Sequence, residues 1–477
     1  MQTPIRFLLG GQVQEVVVTD TTLTLLDWLR GSARRPGTKE GCAEGDCGAC
    51  TVAIGTLAGD SVTYQAVNAC IQFLPMLDGK QVVTVEDLAT SDADLHPVQQ
   101  AMVTEHASQC GFCTPGFVMS LYTLYQTHDT APAREEINTA LAGNLCRCTG
   151  YKPIIAAAAS MFSLPRPAVE PPVTLLKQIQ RNTALSITTE TGQRFDAPIT
   201  LDELADLIER FPQAELLAGA TDIGLWVTKQ HRPMPHLISV GAVAALKEIT
   251  QTPEAITFGA GVSFTEALPH LAAIHPDLER LFKRIGSAQI RNSGTLGGNI
   301  GNGSPIGDSM PALIALGATV TLRKGAVERT LPLEDYFLDY RKTARQAGEF
   351  IVSVSVSRLD TKSHYGTDKI SKRIDQDISA VCGAYRLELE DGIIAAARLG
   401  FGGMAGIPAR APAAEAALRG KPFDEAAIRG AMAALSEDFS PLSDMRASAS
   451  YRLTVARNLL LRFYLRETGV LVQEAAE

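Results

Sequence analysis

Residues 41–50 read Gly-Cys-Ala-Glu-Gly-Asp-Cys-Gly-Ala-Cys, and a further cysteine, Cys70, follows after nineteen intervening residues. The spacing C-x4-C-x2-C with a single later cysteine is that of a plant-type [2Fe–2S] site. The residues between Cys42, Cys47 and Cys50 suit that chemistry: Gly41, Gly45 and Gly48 let the backbone turn tightly, with φ > 0 where needed. Such a loop can aim N–H groups at cluster sulfurs and tune the potential. Structural zinc sites use two short C-x2–4-C pairs, which three ligands crowded into one glycine-rich loop do not match. Outward from this loop, Ile5, Phe7 and Leu9 alternate as a strand. Leu23 to Leu29 reads as helix, and Val52–Ile54 and Val82–Val85 read as strands. Residues 1–85 are therefore expected to form a small α+β ferredoxin-like module.

Eight of the nine cysteines fall between Cys42 and Cys148. The second four are Cys110, Cys113, Cys146 and Cys148, in the order CGFC, 32 residues, CRC. This spacing is not plant-type, and cysteine count alone leaves zinc and iron–sulfur both open. The context favours iron–sulfur, because both pairs fall at expected helix boundaries. Thr114 can cap a helix and Pro115 can take its first position. The stripe Phe117, Leu121, Leu124 continues at helical spacing, and Thr149-Gly150-Tyr151-Lys152-Pro153 leads into a second apolar helix, Ile154 to Phe162. Residues 86–163 are expected to be a four-helix module with a second [2Fe–2S] cluster between its loops. Leu164 to Pro172 contains four prolines and can continue neither helix nor sheet. The interdomain linker is placed at 164–185.

From residue 186 the chain alternates short strands, helices and glycine turns. Ala214 to Gly224 reads as a strand, a glycine turn and an apolar helix, and backbone N–H groups at such a turn can cradle a pyrophosphate. Gly294 to Asp308 is dense in glycine, so its backbone can approach a large ligand closely, with Asn299, Ser304 and Asp308 as polar contacts. Neither segment is a G-x-G-x-x-G fingerprint, so a Rossmann dinucleotide site is not supported. Beside iron–sulfur clusters the natural ligand is a flavin, which exchanges single electrons for pairs.

The rest of the sequence narrows the class. At 477 residues, three or four domains are expected. The net charge of −9 argues against a nucleic-acid partner. No apolar run reaches the ~18–20 residues that span a bilayer. The start, MQTPIRFLLGGQVQEVVV, alternates like a strand and does not read as a signal peptide. The expected compartment is the cytoplasm, where clustered cysteines are metal ligands rather than disulfides. The eight histidines form no H-x-x-H or H-E-x-x-H motif. Cys382 reads as a core thiol, and Trp28 and Trp226 as packing residues. The tail from Ala411 reads as helices, with Ser448 to Arg466 amphipathic.

The stretches GCAEGDCGAC, QCGFCTPG, NLCRCTGY and SKRIDQDISAV, with the two glycine segments between them, resemble the xanthine dehydrogenase family of molybdenum hydroxylases along essentially the whole chain. Within it the similarity is greatest to the small subunit of two-subunit bacterial members. The resemblance implies an α+β multidomain fold. Its parts would be a β-grasp [2Fe–2S] ferredoxin domain (1–85), a four-helix [2Fe–2S] domain (86–163), a vanillyl-alcohol-oxidase-type FAD domain (186–358) and an α+β C-terminal domain (359–477). It implies two [2Fe–2S] clusters and FAD in this chain, NAD as acceptor, and a molybdopterin-molybdenum site in a large partner chain, as two small plus two large chains. No part of this sequence is expected to house molybdopterin, and no catalytic residue for hydroxylation is expected in it.

Residue by residue, the resemblance assigns Cys42, Cys47, Cys50 and Cys70 to the cluster on the FAD side. It assigns Cys110, Cys113, Cys146 and Cys148 to the cluster facing molybdenum. Gln109 would hydrogen-bond the pterin, and Cys148 would lie close to it. Leu217, Gly219, Ala220, Thr221, Asp222 and Ile223 match a first pyrophosphate loop. Thr295, Gly298, Asn299 and Asp308 match a second. Ile351 and Lys369 match residues beside the isoalloxazine ring, the alternative for Lys369 being a solvated lysine in a basic run with Lys372 and Arg373. Arg284-Ile285 stands where some relatives have an aromatic pair. The implied activity is relay of electrons from oxidation of hypoxanthine or xanthine to urate, through the clusters and FAD, to NAD+. Three rivals remain open: the same role in an aldehyde-, nicotinate- or carbon monoxide-oxidising enzyme, a stand-alone diaphorase, and a zinc-stabilised scaffold.

Overall fold

The first strand of the chain, Ile5–Leu9, has every residue but Arg6 buried, and it sits inside a five-stranded sheet. The computed structural model describes residues 3–89, 91, 94–168 and 170–470; Met1, Gln2, Val169 of the expected linker and the last seven residues of the expected C-terminal domain lie outside them. The chain divides into two compact units, Met1–Ala244 with Gly286–Gly294, and Ala245–Ile285 with Thr295–Glu477.

In the first unit the spatial order of strands is Gln12–Val16, Ile5–Leu9, Gln81–Val83, Thr51–Ala58, Ser61–Asn68. Ile5–Leu9 runs antiparallel to Gln12–Val16 and parallel to Gln81–Val83. The helix Leu25–Arg30 packs on this sheet. Thr24 caps it, accepting from Asp27 N at 3.1 Å and donating to Asp27 Oδ2 at 2.6 Å. Leu25, Leu26, Trp28 and Leu29 are buried, and Trp28 meets Phe7 edge-on at 5.2 Å. Each such large apolar side chain contributes roughly 1.5–3 kcal/mol on burial.

Four helices follow, Pro97–Thr104, Thr114–Thr127, Arg134–Leu141 and Lys152–Ser160. The expected stripe of Phe117, Leu121 and Leu124 is buried in their shared core with Val98, Ile137 and Ile154. The expected linker is helical in part. Its second half contains the helix Val173–Ile179, whose Leu176 and Ile179 pack against Leu8 of the first sheet. Prolines 171 and 172 stop only what precedes them, and burial of two side chains was enough to form a short helix behind them.

A second sheet in this unit is ordered Leu185–Thr188, Arg194–Ala197, His236–Ser239, Glu215–Leu217. Leu185, Ile187, Phe195, Leu217 and Leu237 share one core with Phe7, Trp28, Val52 and Cys70. The compact units therefore cut across the boundary expected at 186: the early part of the predicted FAD domain packs with the ferredoxin-like part.

The second unit is built on two large antiparallel sheets, beside the small pair Phe337–Asp339 and Lys342–Thr343. One is ordered Ile249–Gln251, Ala255–Gly259, Phe350–Ser357, Thr319–Lys324, Val327–Pro332. Val354 and Val356 alternate inward between Ser353, Ser355 and Ser357, as a half-buried strand requires. The other is ordered Ser363–Ile370, Val381–Glu390, Ile393–Gly402, Ala409–Arg410. The tail is helical as expected, with Pro412–Leu418, Glu425–Asp438 and Ala449–Glu467. Ser448 caps the last helix, and Ala456, Leu460 and Phe463 share a core with Tyr385 and Phe401 of the sheet. Among the described residues no helix is long and apolar enough to cross a membrane.

Candidate functional site

Residues 41–50 contain neither helix nor strand, and hydrogen bonds fix their course. Gly45 (φ +76°) and Gly48 (φ +68°) take the left-handed conformation, and so does Ala43 (φ +54°), where a side chain makes it costly. Asp46 N and Cys47 N both donate to Cys42 Sγ at 3.4 Å, which is the aim expected of the loop. Cys70 arrives on the turn Ala69–Ile71, tied by Ala69 N to Cys50 O at 3.1 Å. The thiol of Cys42 touches those of Cys47 and Cys70, and Cys70 also touches Cys50. The Cys47 and Cys70 thiols hold Cys42 well below the usual thiol range, while contact with Cys42 pushes both partners up. Thiols gathered out of water cannot all ionise unless positive charge stands among them. The donor set thus fits a cationic metal centre.

The second four meet in pairs, Cys110 with Cys148 and Cys113 with Cys146. Burial, then the neighbouring Cys146, pushes the Cys113 thiol up to about 12. Thr149 donates to Cys146 Sγ through its backbone N at 3.4 Å, and its Oγ1 lies 3.2 Å from the same sulfur. Among the described residues no group of three or more His, Cys, Asp or Glu is arranged to hold a single metal ion; a two-iron cluster asks for two thiolates per iron. The helix boundary falls one residue earlier than expected. Cys113 is itself the cap position, and Thr114 and Pro115 are the first two helical residues. Thr114 Oγ1 instead pairs with Ser108 Oγ at 2.7 Å. Cys50 and Cys70 are buried, whereas Cys110 and Cys148 are exposed, as is Gln109. Phe112, Leu145 and Tyr151 are exposed on the same loops.

The two cysteine sets touch through backbone. Leu145 N donates to Cys47 O at 3.0 Å, placing the neighbour of Cys146 on a residue of the first set. Asn68 and Asn144 each precede a cysteine by two residues, and each donates to a glycine carbonyl of the first loop: Asn68 to Gly45 O at 2.8 Å, Asn144 to Gly48 O at 3.1 Å. Gly48 is required twice over, because a Cβ there would also lie 2.2 Å from Gly143 O. The sequence reading missed these asparagines; the repeated Asn-x-Cys was the available signal.

The residues expected to hold FAD fall in different compact units. In the first unit buried Leu217 ends the strand Glu215–Leu217, Gly219 and Ala220 make the turn, and Ile223 opens the helix Ile223–Thr228. Ala220 has φ +61°, a strained value for alanine, and a Cβ on Gly219 would lie 1.7 Å from Ser293 O. Gln72 Nε2, two residues after Cys70, reaches Ser293 Oγ at 3.3 Å and Gly219 O at 3.5 Å. Thr221 is half-buried and Asp222 exposed on this turn.

In the second unit the glycine-rich segment is less loop-like than expected, since Leu296–Asn302 is helical. Leu296 and Ile300, four apart, anchor one face in the core. Thr295 caps it, accepting from Gly298 N at 3.0 Å. Gly298 is exposed, and Asn299 Oδ1 accepts from Ser309 Oγ at 2.5 Å. Ile351 Cδ1 lies 3.7 Å from where a Cβ on Gly301 would project, so Ile351 belongs beside this helix. Lys369 is not a solvated lysine. It is buried, with Nζ 2.7 Å from Asp308 Oδ2 and 2.9 Å from Arg284 O. Asp308 Oδ1 accepts from Ser379 Oγ at 2.5 Å. Arg284 is fixed by bonds to Ile374 O, Lys369 O and Ser371 Oγ at 3.0–3.2 Å. Gly298 and Gly301 are exposed on this helix, where a ligand can approach the backbone closely.

Three family models match the chain: the [2Fe-2S] binding domain over residues 84–159, the FAD binding domain in molybdopterin dehydrogenase over 192–358, and the CO dehydrogenase flavoprotein C-terminal domain over 367–467. These domains place the chain in the molybdenum hydroxylase family. Within that family it is 31% identical to xanthine dehydrogenase of Emericella nidulans, over 96% of this chain and 38% of the relative. To xanthine dehydrogenase 1 of Arabidopsis thaliana it is 30% identical, over 93% of this chain and 38% of the relative. The chain thus spans about two-fifths of the length of these curated relatives. Among solved structures, carbon monoxide dehydrogenase from Hydrogenophaga pseudoflava aligns with a TM-score of 0.54 and 27% identity, over 56% of this molybdenum hydroxylase chain and 94% of the other. Quinoline 2-oxidoreductase from Pseudomonas putida 86 aligns with a TM-score of 0.52 and 26% identity, over 57% of this chain and 94% of the other. Iron–sulfur and FAD domains in one chain indicate electron transfer within the family.

Proposed function

We propose that this chain is the electron-transferring subunit of a xanthine dehydrogenase, relaying electrons from hypoxanthine or xanthine oxidation at a molybdenum site in a partner chain to NAD+. The observation that carries the proposal is the pair of cysteine sets, joined by the Leu145 N–H to Cys47 O hydrogen bond and followed by an FAD-binding domain. When bound, two [2Fe–2S] clusters supply one-electron steps and FAD exchanges them for hydride. The chain's own residues hold and orient. Cys42, Cys47, Cys50 and Cys70 ligate the buried cluster, and Cys110, Cys113, Cys146 and Cys148 the surface one. Exposed Gln109 and the apolar rim of Phe112, Leu145 and Tyr151 face the large subunit. The residues proposed for FAD binding are Leu217, Gly219, Ala220, Thr221, Asp222 and Ile223 in the first unit and Thr295, Gly298, Asn299, Asp308 and Ile351 in the second. Lys369 holds Asp308 in place at the start of the helix Ser309–Ala315. The domain names implied by the resemblance and the two-plus-two assembly are adopted with this reading.

Relatives named xanthine dehydrogenase that align over nearly the whole chain support the purine substrate. The carbon monoxide and quinoline enzymes among the structural neighbours favour a second reading, the same relay serving another substrate. Purification of the native protein with its partners decides between them. The proposal expects about four iron per chain, FAD, and molybdenum on a co-purifying larger chain, with bleaching by xanthine and recovery with NAD+. Bleaching by another substrate but not by xanthine would select the second reading. Iron and flavin without a molybdenum partner would reject both.

A further inference from the structure

Where the two cysteine sets meet, a polar knot lies entirely out of water. Gln289, Asn144, Ser120 and Thr51 are each no more than 2% exposed. Gln289 Nε2 lies 3.1 Å from Thr51 Oγ1, 3.2 Å from Ser120 Oγ and 3.1 Å from Asn144 Oδ1. Every proton in the knot has a destination. Thr51 Oγ1 donates to Gly48 O at 2.6 Å and Ser120 Oγ to Asn144 Oδ1 at 2.6 Å. Asn144 Nδ2 donates to Gly48 O at 3.1 Å and Thr51 Oγ1 at 3.2 Å. The two remaining protons are those of Gln289 Nε2, shared among three acceptors. Its Oε1 has no partner and is wedged where a Cβ on Gly143 would stand, 2.0 Å away. A buried amide that leaves its own carbonyl unpaired is there for its donors.

The four residues come from the edge of the first cysteine loop, the helix after Cys113, the turn before Cys146, and the helix Ala288–Ser293 of the FAD-binding region. The knot adjoins the hydrogen bond from Leu145 N to Cys47 O, whose residues are the chain neighbours of Asn144 and Gly48. The covalent route from Cys146 through Leu145 to that bond, and on through the Cys47 backbone, joins a residue of each set with one hydrogen bond and no gap of open space.

The geometry points to Gln289 as the positioning residue that clamps this bridge, so that electrons pass between the two iron centres along a fixed path. This rests on the cluster reading proposed above. An electron leaving iron held by the second set reduces iron held by the first, singly and with no proton moved. The knot suits such traffic because all four of its side chains are neutral and none titrates.

The test uses the full chain as isolated with its cofactors and partners. Gln289→Leu keeps the volume and removes the donors. Thr51→Val removes the shared hydroxyl, while Thr51→Ser retains it. One readout is hydrogen exchange at the Leu145 amide, by mass spectrometry of the peptide that contains it. The other is the magnetic interaction between the two reduced clusters in the low-temperature EPR spectrum. Removing two net hydrogen bonds should speed exchange by about 30-fold. The interaction should change in Gln289→Leu and Thr51→Val with iron retained, and Thr51→Ser should match the parent in both readouts. Unchanged exchange and an unchanged EPR interaction in Gln289→Leu at full iron content would overturn the inference and leave the cluster reading standing. If Gln289→Leu loses its iron, the Thr51 pair decides: equal behaviour of the valine and serine variants overturns the inference. Absence of iron in the parent protein would overturn the cluster reading itself.

Discussion

Replacing Lys369 by methionine keeps the length of the stem and removes the ammonium. In the folded chain that ammonium is 2.7 Å from Asp308 Oδ2, with the two side chains 3% and 7% exposed. After the substitution Asp308 keeps the hydroxyl of Ser379 on Oδ1, and both Oδ2 and Arg284 O lose the donor they had. Breaking a buried pair from one side costs about 3–5 kcal/mol, because the remaining charge is uncompensated. A solvated lysine would cost no more than about 0.5 kcal/mol. The double variant Lys369→Met, Asp308→Asn removes the stranded charge and keeps an acceptor for Ser379, so it should recover most of the loss. Urea unfolding of the three proteins, compared at common slope, measures this directly. A single-variant cost below about 1 kcal/mol would show that the pair is not buried as described. A double variant as unstable as the single one would show that the loss comes from packing and not from charge.

Stability should fall in acid through His96. Burial, and then the charge of Arg166, lower its pKa to about 4, and its Nδ1 accepts from Val98 N at 3.3 Å to cap the helix Pro97–Thr104. A depressed histidine contributes fully above the unfolded value of ~6.5 and loses that contribution as pH drops toward 4, roughly 2 kcal/mol after allowance for residual solvation. His96→Asn keeps a capping acceptor without the titration, so its urea midpoint should change less between pH 7 and pH 4.5 than the parent's. Cys42→Ser and Cys110→Ser should each lower iron from about four to about two per chain and leave a different single cluster spectrum; retention of four iron in either would remove that cysteine from the ligand set.

The gathering of the cysteines was legible because their spacing is local: three of the first four occupy one short loop. The amphipathic stripe of Phe117, Leu121 and Leu124 and the alternation of Ile5, Phe7 and Leu9 were legible for the same reason. The helix Val173–Ile179 hid behind prolines, its burial resting on only Leu176 and Ile179. The helix Leu296–Asn302 hid in a glycine run whose anchoring pair, Leu296 and Ile300, is short of a full periodic pattern. The burial of Lys369 could not be read at all, since its partner Asp308 is 61 residues away. Gln289 was more remote still, with partners 145, 169 and 238 residues from it. A lone glutamine in a short helix carries no periodic or spacing signal that could name them.

The short stretch Gly286–Gly294 belongs with the first compact unit although the chain on both sides of it belongs with the second. The backbone therefore passes between the units three times, after residues 244, 285 and 294. The units are laced together, not strung on one thread. After a protease nick at any one passage, at least one segment stays packed in the unit that belongs to the other fragment, so limited digestion should cut this chain without releasing either half under native conditions. By the same reasoning, no single continuous segment makes a clean flavin fragment: residues 245–477 expressed alone would carry Gln289 away from every group that satisfies it.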